Sequence, residues 1–580
     1  MTMREVGVFG LIALLGACGL AAPQAAAQGY RIAGKVVSST TGERLGRVRV
    51  TIADVRDRSR TGSVITGDDG AFVFANLPAG KYSLKAARRG FIESYFMQHG
   101  QFSTAIVTGG EVDSEHLVFR LTPQAILSGR VFDEAGEAVR KARVALFRQD
   151  QNAGFERVHT MATQRTDDRG AYEFAELAAG NYFLSVTARP WYAVNPRSMQ
   201  TGGGTSRTRS PDGTWTTETH EATVETPEAI AGFDVAYPTT YYPDVTDSDE
   251  AVPIPLRGGE RLTVDMHLNP VPAVRVVIRT SGSGALGFAM PQITKRAFDS
   301  EDDILAAYMD RGPAAQDDPR PSVVNMLGPG MAEISGIPAG RYTLRMRGIP
   351  GTGQAGTRSE VELTQDGQEV TPSAGETVGS VKFAVQIAGE ASVPQELMLA
   401  LKTPERKVVR GAPVNAEGKC EMQEVPPGKY ELLAATPNTD YAVTGMVVNG
   451  GVSRGHGLEI ASGTSTEATV TLVAGEAVVQ GVAKRDGKGM AGVMIVMVPK
   501  DPETHQELFR RDQSDSDGTF SLANVIPGDY TVLAIEDGWD LNWSEPGVIE
   551  HYVPKGQKVV VPAGESGTVK LERAVEVEGK

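Results

Sequence analysis

Hydrophobic and polar residues alternate along this chain with a period of two, in short runs punctuated by glycine and proline. Phe72 and Phe74 point to one face of a strand, and Tyr82, Leu84 and Ala86 do the same on the next. Other runs follow the same rule: Val48, Val50 and Ile52; Val139, Ala142, Val144 and Leu146; Val264, Met266 and Leu268. One helix-like stretch stands at residues 303–309. Beyond residue 30, no apolar run reaches the ~18–20 residues that a membrane helix needs.

The strands recur as a unit. Gly70, Phe72, Phe74, Leu77, Pro78, Gly80 and Tyr82 return as Gly170, Tyr172, Phe174, Leu177, Gly180 and Tyr182. A third copy has Gly330, Ile334, Ile337, Gly340 and Tyr342, and a fourth has Gly418, Cys420, Met422, Val425, Gly428 and Tyr430. The fifth holds Gly518, Phe520, Leu522, Val525, Gly528 and Tyr530. In every copy twelve residues separate the first glycine from the tyrosine. We expect each unit to be a β-hairpin, because proline fixes φ and glycine supplies positive φ in its connection. About seven short strands per ~100 residues predict an all-β fold, a tandem array of about five antiparallel sandwiches.

Spacing between the first glycines maps the domains. The expected spans are residues 28–122, 123–270, 271–372, 373–476 and 477–580, following a targeting segment at 1–27. Residues 195–228, rich in Gly, Ser, Thr and Arg without a period, read as a flexible insertion in the second repeat. Residues 298–320 form a lesser insertion in the third. Short linkers such as Leu121-Thr122-Pro123 predict a semi-rigid, elongated chain.

Composition narrows the class. Glycine supplies 66 of 580 residues, about 11% against a usual ~7%, which suits many turns. With 41% hydrophobic residues the chain can still build cores. A net charge of −15 without a basic block makes nucleic acid an unlikely partner. Arg4, the apolar residues 6–15 and Ala25-Ala26-Ala27 form an export signal with an Ala-x-Ala cleavage pattern. Leu15-Gly16-Ala17-Cys18 resembles a lipobox, so Cys18 is a lipidation candidate and an outer-membrane lipoprotein is the alternative to a soluble exported form. The other cysteine, Cys420, takes the place of Phe72 in its repeat, so a buried, unreactive thiol is expected without an intramolecular disulfide.

The string Ser128-Gly129-Arg130-Val131-Phe132-Asp133, with Gly136, Val139, Ala142, Val144, Thr166-Asp167, Gly170, Tyr172, Phe174, Leu177, Gly180 and Tyr182, resembles the carboxypeptidase regulatory-like domain. That resemblance implies a transthyretin-like (prealbumin-like) sandwich, classed with carbohydrate-binding-like folds, in exported bacterial proteins. The first, second and fifth copies match well; the third and fourth match only in their later half.

Catalytic patterns read as turns and loops. Gly451-Val452-Ser453-Arg454-Gly455 fits Gly-x-Ser-x-Gly but lies between strand patterns, where a nucleophile elbow requires strand then helix. Gly282, Gly284 and Gly287 fit a dinucleotide loop, yet Pro291 stops the helix such a loop needs. His456, Glu459 and His551 imitate a zinc ligand set, but among the eight histidines none are two or four apart, so structural or exposed roles are expected. Asp512, Asp515 and Asp517 before Gly518 are calcium candidates, although Gln513 stands where a full pattern wants Asp. Trp191, Tyr192, Trp215, Tyr237, Tyr241, Tyr242, Trp539 and Trp543 fall outside the repeat cores. They either pack domain junctions or stack on sugar rings.

The expected function is therefore a non-enzymatic exported binding or spacer protein without a cofactor. It would act in the periplasm, the cell envelope or outside the cell, with a polysaccharide or an envelope protein as partner. A carbohydrate-binding protein using the loop aromatics is the alternative, and an enzyme with a site in the second-repeat insertion is a further one.

Overall fold

The computed structural model describes residues 29–580, except 110–111, 152–153, 195–204, 210–214, 220–231, 280–290, 304–323, 329–330, 347–356, 372–375, 391, 450, 454 and 565. Strands dominate, and among the described residues each of the five repeats has its own hydrophobic core, with two further clusters around Trp543 and Tyr241. Phe72, Phe74, Tyr82, Leu84, Ala86, Val50 and Ile52 fill the first core, on the faces their alternation predicts.

Each repeat starts with a central strand. In the first, Tyr30–Ser38 pairs antiparallel with Ala71–Leu77 and parallel with Leu117–Leu121. A second sheet places Arg49–Asp54 between Thr61–Ile65 and Gly80–Ala87, with Ile106–Thr108 at the other side of Gly80–Ala87. The same central arrangement recurs for Ala125–Phe132, Val271–Arg279, Gly379–Ile387 and Ala477–Arg485. The sandwiches are thus mixed and not wholly antiparallel, because the last strand of each repeat returns beside the first in the same direction. In the fourth and fifth repeats a bridging strand joins both sheets, Asp440–Val448 in one and Val575–Gly579 in the other.

The Gly-to-Tyr unit is a corner and not a hairpin. Ala71–Leu77 and Gly80–Ala87 lie in different sheets and do not pair, so the short Pro-Ala connection carries the chain across the sandwich. Each tyrosine hydroxyl donates to the carbonyl four residues earlier: Tyr82 to Pro78 (3.0 Å), Tyr182 to Ala178 (2.7 Å), Tyr342 to Pro338 (2.8 Å), Tyr430 to Pro426 (2.7 Å) and Tyr530 to Ile526 (2.7 Å). A ring buried in the core and a hydroxyl tied to the bend fix the crossing, as in the tyrosine corners of other sandwiches.

The first glycine of the unit explains itself sterically. Gly70, Gly170, Gly418 and Gly518 have φ of 70–83°, in the left-handed region. A Cβ at Gly70 or Gly170 would come 2.7 Å from the carbonyl oxygen of Val36 or Val131 on the central strand. The same strand closes onto the turn, since Val36 N–H donates to Gly70 O and Val131 N–H to Gly170 O, both at 2.9 Å. Gly330 lies outside the described residues.

Two expectations change at the larger scale. The insertion at 195–228 contains a β-hairpin, Thr205–Arg209 paired with Trp215–Thr219, where β-branched threonines flank Pro211-Asp212-Gly213. The chain also does not extend as a rod. Residues 81 and 97–107 of the first sandwich pack directly on residues 492 and 511–519 of the fifth, so the two ends of the array meet. Short linkers limited the slack, but polar side chains on both end domains supplied a surface for closure. The helix-like stretch 303–309 is outside the described residues apart from Asp303, which ends the strand Ser300–Asp303.

Candidate functional site

The residues singled out by sequence gather mainly at junctions around the fifth sandwich. At the closing junction, Asp515 accepts from Lys81 Nζ at 2.5 Å and from the Ala105 N–H at 3.0 Å. Lys81 Nζ also donates to Thr519 Oγ1 at 2.8 Å. Gln513, the residue that interrupts the calcium-like pattern, is buried and makes the cross-domain contacts itself. Its Nε2 donates to Met97 O at 2.6 Å and to Thr104 Oγ1 at 2.8 Å. Backbone pairing continues the seam: Ser516 N–H donates to Ala105 O (2.9 Å) and Val107 N–H to Ser516 Oγ (2.8 Å).

The three aspartates are not equivalent here. Asp517 Oδ1 accepts from Thr519 N–H and Oγ–H within its own turn, at 3.0 and 2.5 Å. Asp512 accepts from the N–H groups of Ser521 (2.7 Å) and Gln513 (2.8 Å). Burial pushes the Asp512 carboxyl up to about 6, against the lowering effect of those two bonds. Burial raises Asp515 as well, and Lys81 opposes that rise. Both carboxylate oxygens of Asp515, and Oδ1 of Asp517, are thus engaged by protein donors.

Trp539 stacks on His99 of the first sandwich, with ring centroids 4.6 Å apart and planes within 1°, and donates through Nε1 to Gly492 O at 3.2 Å. Trp543 meets the second sandwich at Gly154, whose φ of 83° and missing Cβ leave room for the indole. Arg511 lies between two aromatic faces, 4.5 Å from Trp543 and 5.0 Å from Phe102. Burial lowers its guanidinium to about 10. From the fourth sandwich, Arg406 Nη1 donates to Ser544 Oγ at 2.6 Å and sits 4.6 Å over the Phe155 ring. Four sandwiches therefore converge on residues 511–544.

Tyr241 is buried at the junction of the second and third sandwiches. Phe298, at positive φ in a tight turn, inserts there against Phe147 (4.9 Å), Phe183 (4.8 Å) and Tyr241 (5.6 Å). The half-buried Tyr242 packs against the second core. Tyr192 and Tyr237 share one carboxylate: both hydroxyls donate to Glu134, Tyr237 at 2.8 Å. Burial, then the bonded carboxylate, raises Tyr192 to about 12. Trp191 remains 73% exposed beside Tyr192, edge to face at 5.8 Å. The Trp215 side chain, Cys18, Gly282, Gly284, Gly287 and Arg454 are outside the described residues. Gly451–Ser453 is the return strand of a hairpin with Asp440–Val448, so its backbone is not the strand-to-helix turn of a nucleophile elbow.

Sequence reasoning missed a polar cluster across the fourth and fifth sandwiches, formed by His456, His505 and Glu507. His456 groups with neither Glu459 nor His551 in it. No spacing pattern marks three residues drawn from two repeats.

The family model of the carboxypeptidase regulatory-like domain matches residues 31–108 and 126–210. Over those residues the first two sandwiches are similar to the carboxypeptidase regulatory-like domain. Residues 472–560 match the second beta sandwich domain of the NOMO1-like BOS complex subunit. Both are non-catalytic domain families. Among solved structures, the Bacillus anthracis TIE protein is 11% identical, covering 77% of this chain and 74% of that one, with a TM-score of 0.16. A Streptococcal ancillary pilin is 12% identical over 52% of this chain and 98% of its own, at 0.19. BcpA, the major pilin subunit of Bacillus cereus, is 10% identical over 60% and 99%, at 0.14. No curated protein matches the chain.

Proposed function

We propose that this chain is an exported, non-enzymatic binding or scaffold protein whose five sandwiches close into one unit and present a surface to a polysaccharide or an envelope protein. The observation that carries this reading is the fate of the loop aromatics. Trp539, Trp543 and Tyr241 seal junctions, which suits a scaffold, while Trp191 stays exposed beside Tyr192. An exposed indole next to a tyrosine held by Glu134 is a flat, pre-oriented surface of the kind that stacks on sugar rings. Export rests on the signal pattern of residues 1–27, with cleavage after Ala27 or lipidation of Cys18 as its two outcomes. Among the described residues no helix is long and apolar enough to cross a membrane.

A glycan array probed with the mature chain and with Trp191→Ala separates the two halves of the proposal. Binding that the substitution abolishes supports a sugar-binding face. Absence of binding by either protein leaves the scaffold reading and removes the sugar. Intact mass from the native host tests export, and an unprocessed N-terminus would refute it.

A further inference from the structure

We propose that His456, His505 and Glu507 form a binding site for one divalent cation of the zinc class, tying the fourth sandwich to the fifth. The three candidate ligand atoms, one from each side chain, all lie within 4.8 Å of one another. His505 Nδ1 stands 3.1 Å from Glu507 Oε1, and His456 Nδ1 stands 3.8 Å from the same oxygen. Ligands held at about 2.0–2.2 Å around a tetrahedral zinc ion are about 3.3 Å apart, so these separations bracket the required value. Two imidazoles and a carboxylate are the donor set that zinc shares with copper and nickel, whereas calcium and magnesium prefer oxygen alone.

The surroundings favour a built site over a chance encounter of surface groups. His456 is buried, and among the described residues its ring makes no hydrogen bond. Its Nδ1 faces the Glu507 carboxylate at 3.8 Å, a separation that a cation held between the two groups would bridge. The backbone on both sides is fixed. His456 O accepts from Leu432 N–H at 2.9 Å, which anchors it to the fourth sandwich. Across the junction, Arg510 Nη1 donates to Glu507 O at 2.8 Å, and Nε donates to Asn524 O at 2.7 Å. Arg510 also pairs with Asp440 of the fourth sandwich at 3.3 Å, so the same junction is already held by one ion pair. Three protein ligands would leave a fourth position for water. The half-exposed His505 supplies the entry side.

The test uses the whole mature chain, stripped with chelator and then titrated with Zn²⁺ by calorimetry and with Co²⁺ by visible absorption. One equivalent of Zn²⁺, with Co²⁺ bands of four-coordinate intensity, is expected. His505→Asn should weaken binding by at least about tenfold, and the pair His505→Asn with Glu507→Gln should abolish it. His505 and Glu507 lie on a surface turn, so these variants should keep the fold even if His456→Gln does not. His116→Asn, at an exposed His–Asp pair, should change nothing. Failure of the wild-type chain to take up Zn²⁺ or Co²⁺ would overturn the proposal. So would stoichiometric binding unaltered in the His505→Asn, Glu507→Gln chain.

Discussion

The second and fourth sandwiches solve one packing problem in opposite ways. In the second, Gly129 on the central strand faces Tyr172 on its antiparallel neighbour. In the fourth, the corresponding pair is Phe383 and Cys420. One side is large and the other small in both, so the bulky residue changes strand. The first and fifth sandwiches follow the second, with Gly34 facing Phe72 and Gly481 facing Phe520. The third follows the fourth, with Ile278 facing Ala332.

The exchange has a consequence for the last strand. Opposite Phe383 the parallel ladder runs without interruption from Ser380↔Ser465 to Ile387↔Leu472. Opposite Gly129 it breaks: Arg261–Thr263 pairs with the central strand, Val264 and Asp265 step out, and Met266–His267 resumes. The Val264 carbonyl occupies the space a side chain at position 129 would need, and the Tyr172 hydroxyl donates to it at 2.5 Å. Gly129 therefore leaves room for the kink in its parallel neighbour and Phe383 stands beside a straight one, whereas in the first sandwich Gly34 pairs with Leu117 at the start of an unbroken ladder.

Breaking this arrangement at its tightest point should have the largest effect. A Cβ at position 129 would collide with the Val264 carbonyl and approach the Tyr172 hydroxyl to 2.9 Å. Backbone is involved, so a rotamer change cannot relieve it. Gly129→Ala should destabilise the second sandwich by more than about 3 kcal/mol, the range reserved for overpacking that displaces main chain. Denaturation of the full chain followed by hydrogen exchange would locate the loss. Unchanged protection across residues 125–177 would refute the account.

The fourth sandwich offers the converse test. Cys420→Phe puts two aromatics face to face where Phe383 already fills the volume, and should cost about 2–3 kcal/mol. Adding Phe383→Gly recreates the pair seen in the fifth sandwich and should recover part of that loss. No recovery would mean that the two positions do not share volume.

Much of this was legible beforehand and some of it was not. The twelve-residue Gly-to-Tyr spacing located every corner, and alternation assigned Phe72, Phe74, Tyr82 and Leu84 to the core. The corner was expected to be a hairpin because a Pro-Ala-Gly connection satisfies both geometries; only the pairing partners, Tyr30–Ser38 and Arg49–Asp54, distinguish them. Closure of the array was invisible because Lys81 and Asp515 are more than 400 residues apart and each looks like an ordinary surface charge. Gln513 looked like a defect in an acidic turn, yet its neutral amide suits a buried seam better than another carboxylate.

A gentler perturbation sharpens the role of the kink. Tyr172→Phe keeps the ring against Gly129 but leaves the Val264 carbonyl without its hydroxyl donor. The expected cost is about 1–2 kcal/mol, that of one buried hydrogen bond with an acceptor left unsatisfied. The fifth sandwich carries Phe520 at this position and its ladder also breaks, between Lys570 and Val575, so the ring alone suffices to accompany a break. The substitution should therefore lower stability without straightening the strand. A larger loss, comparable with Gly129→Ala, would show that the hydroxyl itself holds the kink.

The smallest effect concerns the thiol that replaces the aromatic. Cys420 is 4% exposed, packs in the fourth core, and has Sγ 3.7 Å from Ala412 O. Burial raises its pKa to about 11, because the thiolate has no compensating charge nearby. A group whose folded pKa exceeds its unfolded value contributes stability that is fully present below about 8.5–9 and is lost as pH rises through about 11. The wild-type chain should thus lose slightly more stability than Cys420→Ala between pH 9 and 11, and the two curves should run parallel at neutral pH. Ellman's reagent at pH 8 should label the folded chain slowly and the unfolded chain at once, since both access and thiolate are withheld in the fold. Fast stoichiometric labelling of the folded protein would move Cys420 out of the aromatic's position, and with it the pairing of Phe383 and Cys420 on which the comparison of the two sandwiches rests.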